Sequence, residues 1–219
     1  MQSETEATRR ESDRLAPVYD RRWRNYVDVT LEAVVRSVSL QGHERILDIA
    51  SGTGELERLL LARLPSLQIV GTDISLGMLR QASAKKEDQK AVWVQAEAAH
   101  LPFADHSFDY ALCANSFHYF RRPLAALQEA HRVLRPQGRL ILIDWCDDYL
   151  TCRLCGVWLR LTDPAFCQTY TLQACRSLLE QAGFQVLQTD HFRVRWIWGM
   201  MGFVCCPIET GQGRSNRTT

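Results

Sequence analysis

From Arg45 to Asp144 the sequence alternates short apolar runs with segments of helical periodicity, and this alternation restricts the chain to one class of fold. Arg45–Ala50 (RILDIA), Gln68–Ile74 (QIVGTDI), Ala91–Ala96 (AVWVQA), Phe108–Ala114 (FDYALCA) and Arg139–Asp144 (RLILID) have the length and apolar content of buried strands. Between them, Gly54–Leu64 carries Leu56, Leu59, Leu60 and Leu64 on one face and stops at Pro65. Ser75 is placed to cap a helix bearing Met78, Leu79 and Ala82, and Pro123–Leu134 turns Leu124, Leu127, Ala130 and Leu134 inward. Apolar strands joined by helical crossovers predict an α/β fold. The expectation is a Rossmann-like, doubly wound, mainly parallel sheet with helices on both faces and right-handed connections. A helix carrying Leu172, Cys175, Leu178, Leu179 and Ala182, ended by Gly183, precedes two more strand candidates, Phe184–Phe192 and Trp196–Val204. They bring the expected sheet to seven strands. Trp145–Tyr170 shows no regular pattern.

Upstream, Leu15–Ser39 reads as helical, with Val27, Leu31, Val34, Val35 and Val38 as its apolar stripe and Gly42 as a stop signal. Met1–Arg14 and Gly211–Thr219 are polar and read as frayed ends. No Pro/Gly/Ser-rich linker lies between these ends. The expected organisation is an N-terminal helical extension or lid over 1–44, one sheet domain over 45–208 and a flexible tail over 209–219.

Doubly wound sheets bind ligands at the carboxyl ends of their strands, where the strand order reverses. Two segments of this chain should sit there. In Ile46–Leu56 (ILDIASGTGEL) a strand runs through a small-residue loop into a helix. Gly52 and Gly54 permit close backbone approach, the helix start offers free N–H groups, and Asp48 can accept from the loop or from an ammonium group. In Gly71–Ser75 (GTDIS), Asp73 ends the next strand, 21 residues after Gly52, where a carboxylate can hold both hydroxyls of a ribose. A tight turn without ligand, or an aspartate starting a helix, would explain either segment alone. Together they argue for a nucleoside-containing cofactor, and NAD and S-adenosylmethionine both answer that description. Against NAD, the position that would hold the third glycine of a G-x-G-x-x-G loop is Glu57.

The order DIASGTGEL, VGTDIS, AEAAHLPFADHSFDYALCANSFHYF, HRVLRPQGRLILID resembles the class I S-adenosylmethionine-dependent methyltransferases. It is most like their type 11, ubiquinone/menaquinone-biosynthesis-like branch of small-molecule enzymes. The resemblance covers residues 45 to 145 and, weakly, the helix around Tyr19. It implies S-adenosylmethionine as cofactor, with Asp48, Ala50, Ser51, Gly52 and Gly54 along its methionine part. It implies Asp73 on the ribose hydroxyls, Ile74 and Met78 beside the adenine, and Glu97 and Ala98 at the adenine edge. Asn115 would lie near the methionine moiety and Tyr19 on a lid above. Two positions depart from the family pattern. Ala50 stands where glycine is usual and disfavours positive φ, so a slightly reshaped loop is expected. Glu97 stands where aspartate is frequent and can make the same bond with a longer reach.

A sulfonium methyl donor is already activated, so the protein must mainly align the reactants and exclude water. A general base is needed only for an acceptor that loses a proton. His118 is the best-placed candidate, ahead of Tyr119 and Tyr19, and a wall or structural role for it stays open. Trp145, Tyr149, Trp158 and Phe166 read by default as buried packing, the other reading being that they add to an apolar acceptor pocket. The uncharged run Trp196–Ile208, 13 residues, falls short of the roughly 20 a membrane span needs. By default it is a buried strand, the other reading being an apolar surface offered to a membrane or lipid substrate.

Composition narrows the partners. Lys and Arg total 26 against 25 Asp and Glu, a net charge of +1, so no global field draws the chain to nucleic acid. Arg21–Arg24 reads as a solvated helix face. No signal peptide is evident, so the eight cysteines read as free thiols in a cytoplasmic protein. Cys146, Cys152, Cys155 and Cys167 have irregular spacing for zinc, and no metal is assigned to them; buried small hydrophobes are the preferred reading. Arsenite methyltransferases use cysteines on the same cofactor fold, but their arrangement is not recognisable here. The sequence thus points to a cytoplasmic methyltransferase acting on a small, apolar, quinone- or lipid-like acceptor. O-, C- and N-acceptors, oligomeric state and peripheral membrane contact are open. A non-catalytic S-adenosylmethionine-binding protein and an NAD-linked oxidoreductase are the alternatives.

Overall fold

The computed structural model describes residues 2–85, 90–163, 165–195 and 197–208, with side chains from residue 6 onward. Its strands are β1 (Arg45–Ile49), β2 (Gln68–Asp73), β3 (Val92–Gln95), β4 (Phe108–Ala114), β5 (Leu134–Trp145), β6 (Phe184–Val194) and β7 (Trp198–Pro207). Its helices are α1 (Gln2–Leu15), α2 (Tyr19–Ser37), α3 (Glu55–Arg63), α4 (Leu76–Ala84), α5 (Pro123–Val133), α6 (Leu150–Thr162) and α7 (Leu172–Gln181). The strands form a single sheet in the order β3-β2-β1-β4-β5-β7-β6. The first five are parallel, and β7 runs against both neighbours. This is the expected seven-stranded, mainly parallel, doubly wound sheet.

The central strands read as continuous apolar runs because each residue is buried on one face or the other. Leu47, Ala111, Cys113, Leu140 and Leu142 pack under α5 and α7. Their neighbours Ile46, Leu112, Ile141 and Ile143 pack on the opposite face under α2 and α3. β7 has the same property. Lying between β5 and β6, it buries Met200, Met201, Phe203 and Cys205. The apolar run ending at Ile208 is therefore an interior strand, as the default reading has it, and not a membrane-facing surface. Trp196 and the tail 209–219 lie outside the described residues.

Three expectations are corrected. Residues 2–15 are not frayed but helical. Arg9 and Arg14 pair with Glu6 and Glu11 along α1, and Asp13 accepts hydrogen bonds from Ser75 Oγ (2.6 Å) and the Gly77 N–H (2.8 Å) at the start of α4. This docking needs no apolar stripe, so periodicity did not reveal it. The helix expected over Leu15–Ser39 is broken at Pro17 by a 3₁₀ turn, Ala16–Val18, and restarts at Tyr19. The irregular stretch Trp145–Tyr170 contains α6, whose buried residues are only Cys152 and Gly156. None of the helices among the described residues is long and apolar enough to cross a membrane.

Candidate functional site

A cavity opens at the carboxyl ends of β1, β2 and β4, where the strand order turns back on itself. Eleven of the twelve expected cofactor positions line it: Tyr19, Asp48, Ala50, Ser51, Gly52, Asp73, Ile74, Met78, Glu97, Ala98 and Asn115. Gly54 is the exception. It caps α3 at φ +79°, with its backbone so close to Trp93 that a Cβ would stand 2.6 Å from the indole. Its role is close packing rather than lining.

The two motifs meet directly. The Gly52 N–H donates to Asp73 Oδ2 (2.9 Å), and the Ser75 N–H donates to Asp73 Oδ1 (2.8 Å). Gly52 has φ +57°, and a Cβ there would meet nothing within 4 Å. The open space lies over bare backbone, where a ligand can approach closely. Ala50 takes φ +60°, the left-handed region that glycine adopts without strain. Alanine holds the glycine-like conformation at a steric cost of about 1–2 kcal/mol.

Electrostatically the floor is short of cations. Burial pushes Asp48 up to about 8, and the neighbouring Asp73 adds to this, while a hydrogen bond with Glu57 works the other way. Burial also raises Asp73 to about 6, against the pull of the Ser75 and Gly52 N–H groups. Glu57, in the position that excludes a dinucleotide loop, is itself fully buried. Two buried carboxyls at the tips of β1 and β2, with Glu57 of α3 behind Asp48, suit a ligand with a positive end.

The walls include residues that the sequence reading missed. Thr8 and Ser12 of α1 line the cavity. Thr8 Oγ1 and Ser51 Oγ are buried without a hydrogen-bond partner among the described residues. Orphaned hydroxyls, open space over Gly52 and the carboxyl floor fit a ligand carrying hydroxyls, a heterocycle and a cationic end. S-adenosylmethionine has all three. α2 closes over the same region. Thr53 Oγ1 donates to Asp20, and Lys85 Nζ reaches Thr53 O (2.6 Å), Glu55 (2.6 Å) and Asp20 (2.8 Å). Burial pushes the Tyr19 hydroxyl up to about 12, so it stays protonated. Asn115 lines the cavity at φ +59°, but its side chain is committed to α2. Its Nδ2 donates to Thr30 Oγ1 (2.7 Å), and its Oδ1 accepts from the Tyr26 hydroxyl (2.7 Å). Glu97 is held by Arg122 at 2.9 Å.

His118 sits on the 3₁₀ turn Phe117–Tyr119 after β4, 3% exposed. It is not among the residues lining the cavity, whereas its neighbour Tyr119 is. Asp144, ending β5, accepts from the His118 backbone N–H (2.7 Å), the Trp145 N–H (2.7 Å) and His118 Nδ1 (2.6 Å). A carboxylate accepting the Nδ1 proton leaves the lone pair on Nε2, which has no partner among the described residues. The imidazole stacks on Trp145 (4.7 Å, 13°), and Trp145 stacks on Trp198 (4.6 Å). Phe166 lies 6.1 Å from the imidazole. The four aromatics therefore divide. Trp145 and Phe166 gather at His118, Tyr149 covers Gly199 and tilts onto His191, and Trp158 is 60% exposed on α6.

Of the eight free cysteines, Cys113, Cys146, Cys152, Cys175 and Cys205 are buried and Cys155, Cys167 and Cys206 partly exposed. Cys152 exchanges hydrogen bonds with Gly199, and Cys167 donates to Tyr119 O, so Cys146, Cys152, Cys155 and Cys167 do not converge. Cys146 instead lies beside Asp148 and His191, one potential ligand atom from each within 4.8 Å. Burial raises the Cys113 and Cys175 thiols well above their ordinary range.

Residues 47–142 match the family model described as a methyltransferase domain. The chain is 36% identical over 146 residues to a ubiquinone/menaquinone biosynthesis C-methyltransferase of Syntrophotalea carbinolica, covering 61% of this chain and 59% of that one. It is 38% identical over 129 residues to the demethylmenaquinone methyltransferase of Thermus thermophilus, covering 58% and 55%. The chain thus spans less than two thirds of the length of these relatives. Among solved structures, an S-adenosylmethionine-dependent methyltransferase of Mesorhizobium loti superposes with a TM-score of 0.68 at 18% identity, over 80% of this chain and 96% of that one. At that identity the likeness speaks for the fold alone.

Proposed function

We propose that this chain, whose residues 47–142 match a methyltransferase domain, is a class I S-adenosylmethionine-dependent methyltransferase that transfers a methyl group from S-adenosylmethionine to an apolar, quinone-like small molecule. The observation that carries the reading is the shared cavity in which the Gly52 loop and Asp73 are hydrogen-bonded to each other. The named relatives are a ubiquinone/menaquinone biosynthesis C-methyltransferase and a demethylmenaquinone methyltransferase, and Tyr19, Tyr119 and Phe120 of the cavity wall supply aromatic surface for such a ring. Eight free cysteines favour a reducing, cytoplasmic setting.

In this reading Asp73 accepts the ribose hydroxyls through lone pairs not used by Gly52 and Ser75. Thr8 and Ser51 offer their unpartnered hydroxyls to polar groups of the cofactor. Asp48 faces its cationic end, with Glu57 hydrogen-bonded behind it. When bound, the cofactor supplies an activated methyl group. α1 and α2 form the lid that excludes water, latched through Asp20, Lys85 and Glu55. His118 is the general base. Asp144 holds its Nδ1 proton, so Nε2 can take a proton from the acceptor, and the imidazolium formed is stabilised by the carboxylate.

A thermal-shift panel with S-adenosylmethionine, S-adenosylhomocysteine, NAD and NADP tests the cofactor. Stabilisation by the first two alone is expected, and stabilisation by NAD alone would refute the assignment. Asp73→Ala should weaken S-adenosylhomocysteine binding about 100-fold, as expected for removing charge-assisted bonds to two hydroxyls. An unchanged Kd would remove Asp73 from the site.

A further inference from the structure

α6 is built inside out. At about 100° per residue, Leu150, Leu154, Val157, Trp158 and Leu161 fall on one stripe about 100° wide, directly opposite Cys152, Gly156 and Leu159. The small residues face the protein. Cys152 is bonded to Gly199 of β7, and a Cβ on Gly156 would stand 3.2 Å from Thr169. The large apolar side chains face outward, with Leu150 69%, Leu154 63% and Leu161 83% exposed. A contiguous patch of this kind on a folded protein marks a surface that something covers. Arg153 and Arg160 border the stripe along one edge, both exposed, and neither forms an ion pair among the described residues. Residues 150–162 contain no acidic side chain.

We infer that α6 docks the protein on the surface of an anionic bilayer, its apolar stripe at the level of the acyl boundary and Arg153 and Arg160 among the lipid phosphates. An apolar face edged by arginine, with a tryptophan in it, is the composition of an interfacial helix, and the arginine stems cover apolar surface while their heads stay wet. A second copy of the chain suits the face less well. A two-fold contact between two such stripes would bring four arginines together with no carboxylate on either helix to meet them. The surface is continuous with the proposed acceptor side. Just beyond α6, Asp163 accepts from the Tyr119 hydroxyl (3.3 Å), Phe166 lies beside His118, and the Cys167 and Gln168 N–H groups donate to His118 O (3.2 Å). The inference extends the reading of an apolar acceptor, for α6 would set that side of the molecule against the phase in which such an acceptor dissolves.

The test is flotation of the full chain with vesicles of phosphatidylcholine alone and of phosphatidylcholine mixed with phosphatidylglycerol, beside calorimetric titration with S-adenosylhomocysteine. The protein should float with the anionic vesicles, less so at high salt. The double variant Leu154→Glu with Leu161→Glu, at exposed positions that the fold does not need, should lower the partition coefficient about tenfold or more. It should bind S-adenosylhomocysteine as the parent does. Arg153→Gln with Arg160→Gln should remove most of the preference for phosphatidylglycerol. No binding of the parent chain to either vesicle, unchanged partitioning of the leucine variant, or a dimer in sedimentation that the leucine variant dissolves would each overturn the inference. If vesicles fail while S-adenosylhomocysteine binds, the methyltransferase reading stands without the docking surface. If vesicles bind and S-adenosylhomocysteine does not, the docking surface stands and the methyltransferase reading falls.

Discussion

Beside the tips of β1 and β2 the cavity keeps two buried hydroxyls, of Thr8 and Ser51, with no partner among the described residues, whereas at the tip of β5 the buried carboxylate of Asp144 is fully engaged. Asp48, Glu57 and Asp73 crowd three carboxyls under a cavity walled by the orphaned hydroxyls of Thr8 and Ser51. On the other side, Asp144 accepts three hydrogen bonds, and His118 lies between that carboxylate and the Trp145 ring. Both regions sit at carboxyl ends of strands in one sheet. An unsatisfied buried group costs free energy until a ligand meets it. A satisfied network instead fixes one side chain in one tautomer and one orientation. The first region is shaped to be completed from outside, and the second is complete and holds a group ready.

The sharpest way to break the comparison is to disturb the second region and read the first. His118→Gln and Asp144→Asn should each lower kcat for methyl transfer by about 100-fold or more, the contribution of a positioned general base. Asp144→Asn acts by losing the acceptor that fixes the imidazole tautomer. Both should leave the Kd for S-adenosylhomocysteine within about twofold, since sites without shared partners behave additively. Turnover at the parent rate in both variants would return His118 to a structural role. A parallel loss of cofactor affinity would show that the two regions are one.

A smaller effect separates the regions by pH. Asp48 and Asp73 hold their protons more tightly in the fold than in the unfolded chain, from 3.8 up to about 8 and about 6. Their contribution to stability is complete below 3.8 and is lost as pH rises through those two values. The ligand-free protein should therefore lose melting temperature between about pH 4 and pH 8, the Asp73 part first. A bound cationic group favours the ionised carboxyls, so S-adenosylmethionine should bind more tightly as pH rises across this window and should release protons on binding. Calorimetry in buffers of different ionisation enthalpy measures the release. A melting temperature flat across the window, with no proton released, would mean that the carboxyl floor does not meet the ligand's positive end.

The same contrast explains what was legible. The first region is made of local motifs, a strand, a turn and a helix start, repeated at β1 and β2, so sequence spacing alone brought Gly52 and Asp73 to one cavity. Thr8 and Ser12 were missed because α1 is held by ion pairs along its own length and docks through Asp13, leaving no apolar period to read. The second region joins a turn after β4 to the end of β5, Trp198 of β7 and Phe166 beyond α6, contacts that no local spacing encodes. α6 went unseen for a related reason. Its inward face is Cys152 and Gly156, and a helix whose large residues point outward looks, as a sequence, like one without an inner face.

The smallest effect tests whether the first region's loop is strained for its task. Ala50 stands at φ +60°, one residue removed from the bare backbone of Gly52. A left-handed alanine costs about 1–2 kcal/mol, and glycine would remove that strain while adding unfolded-state entropy worth about 0.5–1 kcal/mol. Ala50→Gly should therefore stabilise the ligand-free protein by about 0.5–1 kcal/mol, raising Tm by roughly 1–4 °C for a chain of this length. It should leave the affinity for S-adenosylhomocysteine nearly unchanged, because the loop already has the shape glycine would give it. A lower Tm would mean that contacts of the alanine methyl group outweigh the strain. Unchanged stability with tighter binding would mean that the loop adopts this conformation only when a ligand holds it there, and the first region would then be shaped by its ligand rather than waiting for it.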